Sequence, residues 1–393
     1  MNVILFDGTG HDSLLPLTYT RPVADLRIGI LTIKEKWELY YNNVSFLTRD
    51  YLNKKYTTNF DSDNIYIYGG LCPDAEVLKE IQQLGINEIL KDEEDNILAF
   101  RSTQKLKDLD NLEPDIEKTI TTGTIVQYTW DIFSKNEQEI AADFQALTDG
   151  KKSAEINSTN TVVEPDRVFI EKGADVSCSI LNPDGGYIYI GKNASVMEGS
   201  IIRGSFALCE GASLKLGAKI YGPTTIGPHS KVGGEVNNSV IQGYSNKGHD
   251  GFIGNTVIGH WCNLGADTNT SNLKNNYANV RLWDYESGRF KDTGLQFCGL
   301  VMGDHSKCGI NTMFNTGTVV GVSANIYGAG FPRNFIPSFS WGGASGNVTF
   351  KLNKVFEVAE KVMARRNLDL NDLEKDILEQ IFEKTAQFRK WEN

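Results

Sequence analysis

The sequence has no apolar run approaching the roughly 18 residues a membrane-crossing helix requires, so no membrane span is expected. It has no surplus of positive charge either. Thirty-nine Lys and Arg stand against 50 Asp and Glu, and the net charge of −11 argues against a nucleic-acid partner, since phosphate binding wants a basic face. The six cysteines (Cys72, Cys178, Cys209, Cys262, Cys298, Cys308) include no C-x-x-C pair. They read as reduced thiols of a cytoplasmic protein, several at core positions. The opening MNVILFDG carries neither a basic region nor a long apolar stretch, so no signal peptide is expected. Glycine, by contrast, is plentiful: 38 residues, concentrated in the second half, as a repetitive fold with many tight corners requires. At 393 residues the chain is long enough for two or three domains.

That second half carries a repeat. From Ile190 an aliphatic residue recurs at every sixth position: Ile190, Val196, Ile202, Leu208, Leu214, Ile220, Ile226, Val232. With about one residue in four aliphatic, eight successive hits have a chance probability on the order of 10⁻⁵. Four positions after each stands Ala194, Ser200, Phe206, Ala212, Ala218, Thr224, Ser230 or Val236, all small or β-branched except Phe206. The pattern resumes at Ile258 and Leu264, then at Met302, Cys308, Phe314, Val320 and Ile326. A period of six suits neither an α-helix nor a two-faced strand. It suits a left-handed parallel β-helix, in which each hexad supplies one short strand and one corner. A β-sandwich would show period two instead. Two interruptions stand out, because loops projecting from a solenoid build its sites. They are Asn182–Tyr189 and the longer, polar Asn269–Phe297, which is expected to reach a neighbouring subunit.

Residues 1–150 read as an α/β domain. VILF (Val3–Phe6) and NIYIYG (Asn64–Gly69) look like buried strands, and Pro73–Leu84 and Asp131–Leu147 have helical apolar spacing. Residues 151–165 read as a polar linker, 166–347 as the β-helix and 348–393 as a helical tail covering its open end. Asn371 with Glu374 makes an N-terminal cap in that tail.

The segment SVIQGYSNKGHDGFIGNTVIGHWCNLGADTNTSNL (Ser239–Leu273) resembles the acetyltransferase half of bifunctional N-acetylglucosamine-1-phosphate uridylyltransferase/glucosamine-1-phosphate N-acetyltransferases, in particular their short variants. The resemblance covers roughly residues 170–330. It implies that His249, in a G-H loop, is the general base on an amino sugar, and that Asn263 and Asn272 bind that sugar. It implies acetyl-CoA as cosubstrate, lying along the later coils by Ile310 and Gly328. The chain departs from the pattern at Phe252, where the main branch has tyrosine, and at Asn237, where it has a phosphate-binding lysine. Both departures bear on which amino-sugar phosphate is taken. The N-terminal domain resembles a sugar-nucleotide pyrophosphorylase through LLPLTYTRP (Leu14–Pro22). Gly8-Thr9-Gly10 keeps part of that family's phosphate loop, and Arg21 is a candidate for nucleotide phosphate. Val23 stands where the family has its catalytic lysine, and Gly69-Gly70 stands where it has its magnesium aspartate. Mg²⁺ is therefore implied only if this domain is active, and if it is, Lys34 or Lys36 would have to supply the missing charge.

Acetyl transfer to an amine needs a base, orientation of the reactants and stabilisation of an oxyanion. A histidine is the side chain whose ordinary titration suits the first role near neutrality. Against this stand a solvated loop histidine for His249 and ordinary hydrophobic coil positions for Ile310 and Gly328. A zinc site would need clustered histidines, but His229, His260 and His305 are scattered, so no metal is expected. The two functions that compete are an amino-sugar-1-phosphate N-acetyltransferase, and a sugar-nucleotide-binding or scaffold protein. The resemblance implies a homotrimer with shared active sites.

Overall fold

The computed structural model describes residues 1–393 except 108, 110, 111, 113 and 393. The N-terminal part is built on six strands: β1 (Asn2–Phe6), β2 (Asn43–Leu47), β3 (Asn64–Tyr68), β4 (Glu88–Lys91), β5 (Ile97–Ser102) and β6 (Ile116–Thr119). They form one sheet in the order β2-β1-β3-β5-β4-β6. β1 and β3 are buried along their whole length, which is why both sequences read as unbroken rather than alternating runs. β1 is parallel to both neighbours, and β5 runs antiparallel to β3 and β4. Helices α1 (Gly10–Ser13), α2 (Ile33–Glu38), α3 (Ala75–Gln82), α4 (Asp131–Ser134) and α5 (Asn136–Thr148) pack around it. Thr32 and Glu35 form a reciprocal cap on α2, and Asp74 caps α3. The single helix expected over 131–147 is broken at Lys135, between α4 and α5.

Residues from Thr161 onward wind into three parallel sheets of six, nine and ten strands, the last ending in an antiparallel hairpin. Strand partners lie 18 residues apart: Ile188 pairs with Phe206 and Phe206 with Thr224, Val196 with Leu214 and Leu214 with Val232. Three hexads therefore complete one turn of a left-handed parallel β-helix. The aliphatic residues of the repeat are buried inside the prism, with Ala194, Ala212, Ala218 and Ser230 buried at its corners. Phe206, the exception among the small positions, opens the strand Phe206–Leu208 and is itself fully buried. Thr161–Val162 already pairs in this array, so the polar segment after α5 enters the first coil.

One corner of the β-helix carries a column of residues in the left-handed region. Asn193, Gly211, His229, Tyr244, Trp261, His305, Ser323 and Phe339 succeed one another, with φ between 55° and 64°. Asparagine and glycine tolerate this conformation; four consecutive ring-bearing residues are unusual there. Their rings meet along the column: Tyr244 stacks on Trp261 at 4.4 Å, and His229 lies tilted on Tyr244 at 5.0 Å.

The long interruption is anchored within its own chain. Its centre forms an antiparallel hairpin, Arg281–Asp284 with Arg289–Asp292, that folds onto the N-terminal domain of the same chain. Val280, Leu282 and Tyr285 are buried there, and Tyr285 meets the edge of Tyr19 at 5.5 Å. Lys291 donates to the Tyr128 hydroxyl at 3.1 Å. Apolar side chains on both sides of this junction leave water together, which fixes the hairpin inward. Helices α6 (Leu352–Ala364) and α7 (Asp372–Lys384) follow, and Asn371 and Glu374 form the reciprocal cap on α7. Phe382 packs on Phe339 at the last corner. α7 also bridges back to the N-terminal domain through Lys54–Asp376 and Lys55–Glu374.

Candidate functional site

His249 lies at the corner that follows the strand Asn246–Lys247, exposed to solvent. In the preceding coil this corner is two residues shorter. Val232 and Glu235 are three apart, yet they are in register with Lys247 and Phe252, which are five apart. Gly233 and Gly234 fill the short corner, where a Cβ on Gly234 would stand 2.9 Å from the His249 carbonyl oxygen. The His249–Asp250 loop therefore lies close over the short corner of the preceding coil.

The remaining sugar candidates gather beside this loop, on two sheets. Asn237 pairs in register with Gly254, and a Cβ at Gly254 would meet both the Phe252 ring and the Asn272 amide. Asn272 donates to the Asn255 side chain at 2.8 Å, Asn237 donates to the Tyr221 carbonyl at 3.3 Å, and the Phe252 N–H donates to Asn269 at 2.8 Å. Asn263 lies on the other sheet, exposed, in register with Asn246 just before the His249 loop. The register carries Asn246 to Asn263, and Leu264 to Cys308 and Ile326, so His249, Ile310 and Gly328 all lie in the turns that follow strands of one sheet. Ile310 is 71 % exposed, and Tyr327 beside Gly328 is also exposed.

One residue at this site carried no motif to reveal it. Lys247 stands in the inward row, where Val196, Leu214, Val232, Leu264, Cys308 and Ile326 are apolar, and it is only 1 % exposed. Its ammonium donates to the carbonyls of His249 (2.5 Å), Asp250 (2.8 Å) and Gly233 (3.5 Å). Burial pushes its pKa down to about 8, against the pull of Asp250 and Asp267. Val232 and Lys247 are 15 residues apart rather than 18, so a strict count of six misses the position.

In the N-terminal domain a cavity of about 450 Å³ opens at the carboxyl ends of β1 and β2, lined by Gly8, Thr9, Thr48, Arg49 and others. Gly10 lies beside it, tightly covered by the Tyr68 ring. Asp7 is buried beneath the turn, accepting from the Val23 N–H (2.8 Å) and the Thr48 hydroxyl (2.5 Å), and burial raises its pKa. Val23 is fully buried in the core, and a side chain at Gly70 would overlap the Val126 carbonyl. Arg21 is not at this cavity, contrary to its expected role on nucleotide phosphate. It is buried against the β-helix, paired with Asp304 and lying 3.1 Å from the His260 ring. Its partner is 283 positions away in sequence, beyond the reach of any local motif. Lys36, too, is consumed inside the fold, paired with Glu139 (2.9 Å) and Asp143 (2.5 Å), and Lys34 pairs with Glu38 on its own helix.

Residues 3–152 match the family described as "Sugar nucleotidyl transferase". Two curated relatives are both "Bifunctional protein GlmU". That of Methanocaldococcus jannaschii is 33 % identical over 87 residues, 22 % of this chain and 21 % of the relative. That of Zymomonas mobilis is 28 % identical over 163 residues, 38 % of this chain and 34 % of the relative. The chain thus spans about a fifth to a third of the length of these relatives. Solved structures with similarity include the polySia-specific acetyltransferase NeuO, at 16 % identity and a TM-score of 0.28, covering 49 % of this chain and 82 % of that one. Another is the UDP-N-acetylglucosamine acyltransferase of Francisella novicida, at 12 % identity and a TM-score of 0.24, covering 58 % of this chain and 90 % of that one. Fold and family match together define a hexapeptide-repeat protein preceded by a domain of the sugar nucleotidyl transferase type. Parts of the chain are similar to the two proteins named GlmU. No helix among the described residues is long and apolar enough to cross a membrane.

Proposed function

We propose that this chain is an N-acetyltransferase that moves the acetyl group of acetyl-CoA to the amine of an amino-sugar phosphate in the cytoplasm. The observation that supports the reading is that His249, Ile310 and Gly328 follow stacked strands of one sheet, with Asn263 on that sheet and the Asn237–Phe252–Asn272 group on the next. His249 takes the proton as the amine attacks the thioester carbonyl, and the oxyanion then collapses with loss of the CoA thiolate. Asn263 and Asn272 orient the sugar, and the groove past Ile310 and Gly328 takes the pantetheine arm. With Phe252 and Asn237 in place of tyrosine and lysine, the pocket has less hydrogen bonding and less charge for the phosphate. The exposed apolar residues Leu216, Ile310, Met313 and Phe331 favour packing of this face against further copies of the chain in a homotrimer.

For the N-terminal domain the reading is sugar-nucleotide binding with little or no nucleotidyl transfer, because Val23 and Gly70 belong to the packing and Arg21 and Lys36 are spent on ion pairs. The experiment is thiol release from acetyl-CoA across a panel of amino-sugar phosphates that includes glucosamine-1-phosphate. Turnover with at least one acceptor is expected. Failure with every acceptor would overturn the enzyme reading and leave the sugar-nucleotide-binding or scaffold alternative.

A further inference from the structure

An ammonium inside an apolar prism is costly unless every one of its protons is placed. Lys247 meets that condition. Three N–H donors face three carbonyl oxygens, one on the preceding coil and two on the loop that carries His249. Among the described residues no carboxylate accepts from it; the titratable groups that face it are Asp250, Asp267 and Cys308. The loop it holds is open at its first end, where a Cβ on Gly248 would touch nothing within 4 Å, and packed at its second, where Gly251 lies against the Thr268 carbonyl. The Asp250 carbonyl also accepts from the Asp267 N–H at 3.0 Å and the Gly251 carbonyl from the Glu235 N–H at 3.1 Å, so Lys247 adds its grip on the half of the loop that carries His249. A leucine or valine, as in the rest of the row, would fill the interior but leave the carbonyls of His249 and Asp250 without this partner.

We propose that Lys247 is a positioning residue, whose buried ammonium grips the Gly233, His249 and Asp250 carbonyls and so fixes the His249 loop for proton transfer. This rests on the reading of His249 as general base. Lys247 touches no substrate; it acts through the peptide groups on either side of Asp250. When the ammonium becomes a neutral amine, one of its three donations is lost together with the charge, and the loop loosens.

The test is Lys247→Met, which keeps the length and removes the charge. Its melting temperature should hold or rise, since the apolar row is completed, while kcat falls by about 10- to 100-fold and KM for acetyl-CoA changes less than about two-fold. Hydrogen–deuterium exchange of the 248–252 amides should quicken. The wild type supplies a second readout that does not depend on the variant folding: kcat should fall above about pH 8, and Lys247→Met should lack that limb. A Met variant with wild-type kcat, or a wild-type rate flat from pH 7 to 9.5, would overturn the proposal. Failure of the base assignment looks different, because His249→Ala would then keep the wild-type rate. If only the Lys247 assignment fails, His249→Ala stays slow while Lys247→Met is fast.

Discussion

The guanidinium of Arg21, on the N-terminal domain, is buried against the carboxylate of Asp304, on the β-helix. Thr20 donates to the same carboxylate at 2.7 Å, and the His260 backbone N–H donates to it at 2.8 Å. Burial alone would raise the Asp304 pKa, but Arg21 and the two neighbouring histidines hold it down at about 2. Removing one member leaves the other charged and dry. Arg21→Ala should therefore destabilise the chain by about 3 kcal/mol or more. Chemical unfolding monitored by tryptophan fluorescence measures this directly.

The same cluster sets an acid limit. Burial, with Arg21 beside it, lowers the His260 pKa well below the ordinary value, and burial with Lys307 lowers that of His305 to about 3. Between pH 6.5 and about 3 the unfolded chain holds protons on these imidazoles that the folded chain refuses, so stability rises with pH across this window. Asp304 acts in the same direction at the lower end, because its carboxylate contribution is lost as pH falls from the ordinary 3.8 towards 2. Melting temperature should fall on acidification from pH 7 to 4.5, and His305→Gln should flatten the slope. An unchanged melting temperature over that range would count against neutral buried histidines.

His249→Ala should leave the fold and acetyl-CoA binding intact, since an exposed loop side chain carries little packing energy. It should lower kcat by roughly 10²- to 10⁴-fold. His249→Gln should be nearly as slow, because an amide hydrogen-bonds but does not take the proton. A Gln variant within a few-fold of wild type would remove the base role and leave the acyl transfer standing.

Incubation of the chain with UTP, a sugar-1-phosphate and Mg²⁺ should release pyrophosphate far more slowly than the ~10 s⁻¹ of a typical enzyme. Coupled phosphate detection checks it. Turnover at enzymatic rates would mean that charge other than Arg21, Lys34 and Lys36 stabilises the transferring phosphate.

The homotrimer reading predicts a particle of three chains by light scattering. Replacing Leu216 and Ile310 together by Glu should dissociate it and abolish acetyl transfer, because a charge on an apolar contact face is not tolerated. A wild-type monomer with full activity would refute the shared site.

The β-helix was legible because six-residue spacing is local: each inward residue is set by its own strand and the next corner. The buried strands β1 and β3 were legible for the same reason. What escaped were pairings made at long range. Arg21 sits in a sequence that suggests a phosphate clamp, yet its partner comes from the far end of the β-helix. The Asn269–Phe297 interruption is polar overall, and only the placement of Val280, Leu282 and Tyr285 on one side turns it inward. Lys247 was hidden by a shortened coil that shifts the count. At the site, His249, Asn263 and Asn272 were singled out by motif spacing, whereas the packing of the His249 loop over Gly233 and Gly234 required knowing which coil is short.

The hairpin has a consequence for how the molecule comes apart. Its tip residue Glu286 lines the cavity at the Gly8–Thr9 turn, so a wall of that pocket is supplied by the second half of the chain. One continuous core runs from Val3 and Ile65 through Tyr285 and Val319 to Ile377 and Ile381. An isolated fragment ending near residue 150 would bare the apolar side of that junction. Such a truncation should aggregate rather than fold, and the intact chain should melt in one cooperative step instead of domain by domain.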